Sequence, residues 1–256
     1  MSPLRRLVPA LAVLSAAGLV LTGCESTSGG DAQASGDSGT FTVCANSPYP
    51  PFEFEQDGKV VGFDMSMGDE IAKDLGREKK FVQANFETLE SGAALDTGQC
   101  DAAISGITIT DARKKSVDFS KPYFNDQIAL LTTKDSGIKG FDSVGDKTVG
   151  VQQATSGEDY ATEKKLKTQQ FEDVELMFQS LESGGVQAVS GNISTLSKRA
   201  ESNPDLEVVQ TVDTNENLGV AVKKGNTELL DSVNKTLDRI TSDGTMDKMK
   251  KEWMGL

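Results

Sequence analysis

The sequence predicts an α/β fold built from two units, each a mainly parallel sheet flanked by helices. Three observations carry this. From Phe41 onward, short apolar strand candidates alternate with helical stretches. The alternation runs out near Thr133 and restarts at Lys147, in similar style and without a sequence repeat. The chain then closes on helical apolar spacing with no further strand signal. At 256 residues, 37% hydrophobic and 25% charged, it has the length and composition for such a core.

Residues 1–23 read as an export signal. Arg5 and Arg6 form the positive start, and Leu7 to Leu21 is an apolar run too short to span a bilayer comfortably. Leu21-Thr22-Gly23-Cys24 resembles the bacterial lipobox, which implies lipidation of Cys24 and an anchor on the outer face of a membrane. Loss of Arg5 and Arg6 takes the formal net charge from −13 to −15. Residues 24–39 form a tether: Glu25 to Gly39 contains only Glu, Ser, Thr, Gly, Asp, Ala and Gln and builds no core. Its root-mean-square reach is about 20–23 Å.

Phe41 to Ala45 is the first strand. Phe52-Glu53-Phe54 and Val60-Val61 flank Asp57-Gly58 as a hairpin. Asp64 suits the N-cap of a helix carrying Met67, Ile71 and Leu75. Phe81-Val82 is a strand, Ala93 to Leu95 is helical, and Asp101 to Gly106 is a strand again. In the second unit Lys147 to Val151 is a strand, and Thr155-Ser156-Gly157 opens a helix. Val174 to Leu176 reads as a weak strand, Phe178 to Leu181 as helix, and Ala188-Val189 and Val208-Val209 as strands. Leu229, Leu230, Val233, Leu237 and Ile240 mark a long helix broken at Asp243-Gly244. Met246, Met249 and Trp253 continue on a further helix as core packing.

Composition restricts the chemistry. There is no histidine, which removes Ser-His-Asp and Cys-His catalysis and His-containing zinc sites. Three cysteines cannot make a four-cysteine zinc site, and no cofactor or metal is expected. The acidic balance argues against a nucleic-acid partner.

Several blocks resemble the bacterial extracellular solute-binding proteins of family 3, the polar amino-acid receptors of ABC importers, and among them the glutamine receptors. They are Gly62-Phe63-Asp64-Met65, Ser105-Gly106-Ile107-Thr108-Ile109-Thr110-Asp111-Ala112-Arg113 with Val117-Asp118-Phe119-Ser120, and Leu218 to Asn226 with Asp243-Gly244 and Trp253. Ser66 departs from the pattern, where an acid is usual. The resemblance implies a two-lobed periplasmic-binding-protein fold of type II. Lobe 1 would be residues 40–124 plus 219–256 and lobe 2 residues 125–218, hinged near Tyr123–Gln127 and Glu216–Val220. It implies a monomeric receptor that closes on an amino acid and delivers it to a permease. Two other functions on this fold remain open, a cyclohexadienyl-dehydratase-like enzyme and a ligand-sensing co-receptor.

The resemblance also implies site residues. Arg113 would grip the ligand carboxylate through paired hydrogen bonds. Thr155, Ser156 and Gly157 would offer N–H groups at a helix N-terminus to the same carboxylate. Ser105 would be a ligand-binding residue, and Gly106 and Thr108 would meet the ligand's ammonium, Gly106 by its carbonyl and Thr108 by its hydroxyl. Tyr49, Phe52 and Phe86 would supply aromatic faces. Asn46 and Asn192 stand where many members carry aspartates, and Gln152 where the glutamine receptor has a lysine. An Asn/Gln-lined pocket suits a neutral polar side chain. If an acid compensates for Asn192, Asp213 and Glu216 are the candidates. Cys44 and Cys100, outside the cytoplasm, invite a disulfide, whereas their offset on parallel strands argues that the sulfurs stay apart. Both alternatives stand at this level.

Overall fold

The computed structural model describes residues 39–256, and the export signal, Cys24 and the tether through residue 38 lie outside the described residues. In chain order the elements are β1 (Thr40–Ala45), β2 (Phe54–Gln56), β3 (Lys59–Val61), α1 (Phe63–Asp74), β4 (Glu78–Gln83), α2 (Phe86–Glu90), α3 (Ala93–Asp96), β5 (Ala102–Ala103), β6 (Val117–Phe119) and β7 (Phe124–Thr133). There follow β8 (Thr148–Gln152), α4 (Ser156–Glu163), β9 (Lys167–Phe171), α5 (Val174–Glu182), β10 (Ala188–Asn192), α6 (Ile193–Ser202), β11 (Leu206–Leu218), β12 (Ala221–Lys223), α7 (Thr227–Ser242) and α8 (Thr245–Trp253).

Two five-stranded sheets result, ordered β4-β1-β5-β12-β6 and β11-β7-β10-β8-β9. Each is mixed and mainly parallel: four of its five strands run in one direction, and one, β12 or β7, runs against them. β1 runs parallel to β4 and β5, but β12 pairs antiparallel with β5 and β6. In the second sheet β10 and β8 and then β8 and β9 are parallel, while β7 is antiparallel to β10 and β11. The antiparallel members are those entered after the chain crosses between sheets, so they do not follow a right-handed β-α-β crossover. β7 and β11 carry the crossings side by side, with Glu216 opposite Asp126, Asn217 opposite Asn125 and Leu218 opposite Phe124.

Helix α1 starts from Gly62 and not from an Asp64 cap. Asp64 lies inside the first turn, fully buried, and its carboxylate faces the core. Gly62 is required here: at φ 132° a Cβ would lie within van der Waals overlap of the Phe52 carbonyl. Val174 to Leu176 is the first turn of α5 and not a strand, because Asp173 caps it by accepting from Leu176 N at 2.9 Å. The strands missed are β9, a polar edge segment, the short β6 and β12, and β7 beyond the hinge segment at Tyr123–Gln127. Of Asp101 to Gly106, only Ala102–Ala103 is strand.

On α7, Val233, Leu237 and Ile240 are buried at helical spacing, and α8 buries Met246 and Met249. Each such side chain contributes about 1.5–3 kcal/mol. Trp253 donates its indole N–H to Ser66 Oγ at 2.9 Å, which gives the unusual Ser66 a packing role. The sulfurs of Cys44 and Cys100 are bonded, with Cα atoms 5.7 Å apart. The strand offset does not separate them because Cys100 precedes β5, where Asp101 N donates to Thr42 O and holds the approach beside β1. Among the described residues no helix is long and apolar enough to cross a membrane.

Candidate functional site

The candidate residues gather where the sheets face each other, on the segments leaving the C-terminal ends of β1, β5, β8 and β10. Open α/β sheets place ligands at such ends. Asn46 and Tyr49 follow β1; Ser105, Gly106 and Thr108 follow β5; Thr155 to Gly157 follow β8. Gln152 ends β8 and Asn192 ends β10.

Side chains from the two sheets meet directly. The Tyr49 hydroxyl donates to Asn192 Oδ1 at 2.9 Å. Gln152 Nε2 donates to Asn46 Oδ1 at 2.8 Å, and Asn46 Nδ2 donates to the Ala84 carbonyl at 3.0 Å. The Thr108 and Ser156 hydroxyls lie 3.4 Å apart. Gln152 Oε1, Asn192 Nδ2 and Thr195 Oγ1 are buried without a hydrogen-bond partner. All three residues line one cavity with about 10 Å³ of free room, beside Tyr49 and Thr155.

Arg113 begins a single 3₁₀ turn and is buried. Its Nη1 donates to the Thr108 carbonyl at 3.0 Å and its Nη2 to the Ala154 carbonyl at 2.7 Å, while Nε reaches Glu90 at 3.4 Å. The guanidinium sits 5.5 Å from the centre of the Phe86 ring, so Phe86 acts as its cation–π platform. Thr155 caps α4: its hydroxyl accepts from Glu158 N and donates to Gln152 O at 2.7 Å. Gly157 lets α4 press on β10, where a Cβ would come within 2.8 Å of the Ser190 carbonyl. Phe52 lies wholly in the core, stacked on Tyr49 at 5.7 Å and packed beside Gly106.

Beneath this surface lies a set of buried carboxyls, of which sequence reasoning named Glu216 as a candidate and missed the site role of Glu53, Asp64 and Asp126. Glu53 accepts from Ser105 Oγ, and Asp64 accepts from Gly106 N at 2.6 Å and Tyr123 OH at 3.0 Å. Asp126 accepts from Gln127 N at 2.9 Å and Ser194 N at 3.4 Å. Glu216 accepts from the Thr108 and Thr214 hydroxyls, both at 2.7 Å. Among the described residues none of these four ion-pairs with a lysine or arginine. Burial pushes Asp64 up to about 7 and Asp126 up to about 6, in each case against the hydrogen bonds they accept. Burial, then the charge of Asp64, raises Glu53 well above the ordinary range. Burial, then Asp126, raises Tyr49. Asp213 is exposed and only closes a local turn by accepting from Asn215 N. No metal-ligating cluster of His, Cys, Asp and Glu is present among the described residues.

Comparison with known proteins gives a consistent answer. Residues 41–256 match the model of the bacterial extracellular solute-binding proteins, family 3. The chain is 31% identical to an L-cystine-binding protein of Escherichia coli strain K12, over 85% of this chain and 83% of that one. It is 34% identical to an ABC transporter glutamine-binding protein of Bacillus subtilis strain 168, over 77% and 74%. It superposes on the structure of an ancestral arginine-binding protein bound to glutamine with a TM-score of 0.81, 36% identity, and coverage of 85% and 99%. Two mixed sheets joined by paired crossing strands are the fold of type II periplasmic binding proteins. With that fold, and with the family model spanning every element from β1 to α8, the chain belongs to the bacterial extracellular solute-binding proteins of family 3.

Proposed function

We propose that this chain is a lipid-anchored extracytoplasmic receptor that binds a small polar amino acid with a neutral, glutamine-like side chain and passes it to an ABC permease. It acts as a binder and not as an enzyme. Residues 40–124 with 219–256 form one lobe and residues 125–218 the other, closing about the crossing strands. Cys24 carries the anchor.

The amide orientation between the sheets carries the ligand class. The Ala84 carbonyl fixes Asn46 with its Nδ2 inward, so Asn46 Oδ1 faces Gln152. Gln152 is thereby turned to offer Oε1, an acceptor. Asn192, whose Oδ1 takes the Tyr49 proton, offers Nδ2, a donor. A primary carboxamide has one group of each kind and complements both. A lysine or arginine head would find no acid at Asn46, Gln152 or Asn192, and leaving a buried charge unpaired is costly. The glutamine-binding relative and the glutamine-bound ancestral structure support this choice.

The test is a thermal-shift screen of the proteinogenic amino acids, followed by calorimetry. Binding to the native state alone raises Tm. L-Glutamine or L-asparagine is expected to give the largest shift. A largest shift from arginine or cystine overturns the ligand class, and no shift from any amino acid overturns the receptor reading. Palmitate labelling in a bacterial host, lost in Cys24→Ala, tests the anchor.

A further inference from the structure

An amino-acid ligand brings an ammonium group into the site, and a buried ammonium needs acceptors and a negative charge nearby. The two asparagine oxygens each already accept a hydrogen bond, Asn192 Oδ1 from the Tyr49 hydroxyl and Asn46 Oδ1 from Gln152, and neither carries charge. Asn192 therefore turns a donor toward the cavity, the wrong polarity for an ammonium.

Charge enters instead from the crossing strands. Glu216 on β11 stands directly opposite Asp126 on β7, and both are buried. Like charges opposite each other on paired strands destabilise, and no lysine or arginine ion-pairs with either among the described residues. Asp126 Oδ2 is buried with no hydrogen-bond partner. Asp126 Oδ1 accepts from Ser194 N at 3.4 Å, two residues past Asn192, and Glu216 accepts from Thr108, so the pair lies close to the cleft.

Thr108 links the pair to the ligand side. Its hydroxyl gives its one proton to Glu216 Oε2 at 2.7 Å. Its oxygen can then only accept, and donation to a carboxylate strengthens it as an acceptor. On its other side Thr108 lies 3.4 Å from Ser156 of the second sheet.

We infer that Glu216, with Asp126 behind it, supplies the negative charge that holds the ligand's ammonium group, Glu216 acting through the Thr108 hydroxyl in place of an acid at Asn192. This rests on the amino-acid-receptor reading. Glu216 is a positioning and specificity residue: it makes the site prefer amino acids over their deaminated counterparts.

The test is calorimetry with L-glutamine, or whichever proteinogenic amino acid binds the unaltered protein most tightly, and with its deaminated counterpart (4-carbamoylbutanoate for glutamine). Loss of a charge-assisted bond corresponds to about 10- to 100-fold weaker binding of the amino acid in Glu216→Gln. The deaminated compound is expected to change by less than about threefold on the same scale. A merely structural role would weaken both alike. Thr108→Val, which keeps the carboxylate, is expected to show the same selectivity loss, and serves if Glu216→Gln does not fold. Equal affinity in Glu216→Gln and unaltered protein, or equal loss for both compounds, overturns the inference while leaving the receptor reading intact. An unaltered protein that binds no amino acid overturns both.

Discussion

The hydroxyl of Tyr49 donates to Asn192 Oδ1 at 2.9 Å, tying the loop after β1 to the end of β10 in the other sheet. Both partners are buried, and this is one of the side-chain bonds that run between the sheets. Its loss should therefore fall on the closed arrangement and not on the folding of either sheet. Tyr49→Phe leaves Asn192 Oδ1 buried without a donor, at a cost of about 1–3 kcal/mol. The expected outcome is amino-acid affinity lowered about tenfold, with Tm changed by a few degrees at most. Calorimetry and thermal unfolding on the same samples check it. A large Tm loss with unchanged affinity would show the bond to be structural.

The amide pair makes a second, sharper prediction. Asn46→Asp loses the donor to the Ala84 carbonyl and places an uncompensated charge at a buried position. Burying a charge without a partner destabilises. The ligand-free variant should melt several degrees lower than the unaltered protein. L-Arginine or L-lysine should now give a larger thermal shift than L-glutamine, because the pocket gains the anion it lacked. A variant that still ranks glutamine first would separate Asn46 from side-chain recognition.

Why some of this was legible in the sequence and some was not has physical causes. Helix α7 was legible because burial follows its period: Val233, Leu237 and Ile240 face inward while Asp231, Lys235 and Asp238 face out. Strand β9 was not, because an edge strand of Lys-Thr-Gln-Gln-Phe buries too little to alternate. Val174 to Leu176 misled because apolar content outweighed the Asp173 cap in front of it. In the site, Arg113 stood out through its motif, and its neighbours followed. Glu53, Asp64 and Asp126 gave no signal, since an acid beside apolar residues reads the same whether it faces water or a core. Asp64 even looked like a helix cap. Only the pairing of β7 with β11 reveals that Asp126 meets Glu216.

The Cys44–Cys100 bond closes a loop across a sequence separation of 56. In the chain-entropy account a loop of that size is worth about 4 kcal/mol, mainly by restricting the unfolded chain. Both cysteines are buried in the apolar cluster that also holds Phe86, Leu89 and Leu95. A chain beginning after Cys24 should therefore show no free thiol when unfolded without reductant. Cys44→Ala with Cys100→Ala should lower the urea midpoint substantially and steepen the slope, because the unfolded chain is no longer cross-linked. Two titratable thiols in the unreduced, unfolded protein would remove the bond and the prediction together.

The buried carboxyls fix the sign of a pH dependence. Asp64 is raised to about 7 and Asp126 to about 6, from an ordinary value of 3.8. The folded protein thus holds protons that the unfolded chain has already released. The stabilisation is complete below 3.8 and is lost as pH rises through 6 and 7. Unfolding free energy falls by at most about 1.4 kcal/mol per pH unit for each group. Asp118, held below its ordinary value by the bonds from Lys224 and Gly225, titrates beneath this window. Tm of the ligand-free protein should fall as pH rises from about 5 to about 8, and Glu53, raised in the same sense by burial and then by Asp64, adds to the fall. Asp64→Asn keeps an oxygen for Gly106 N and Tyr123 OH but carries no charge, so its Tm should be flatter with pH and higher near pH 8. A Tm that rises over this range would contradict the assignment.

Arg113 tests whether charge or shape holds the ligand carboxylate. Its guanidinium is positioned by two backbone carbonyls, Thr108 from the first sheet's loop and Ala154 from the segment before α4. The Phe86 ring lies against it, and Glu90, a quarter exposed, reaches only Nε. This leaves a planar fork with N–H groups to spare, suited to two parallel bonds to a carboxylate. A lysine keeps the charge but is a point donor that cannot bond both carbonyls and a ligand in one plane. Arg113→Lys should therefore bind about 10- to 100-fold more weakly, and Arg113→Ala should lose most binding. Glu90→Gln should do much less, since its contact is long and partly solvated. Calorimetry of the three variants with the same amino acid decides the matter. If Arg113→Lys bound as tightly as the unaltered protein, charge alone would suffice and the two-bond grip would be wrong.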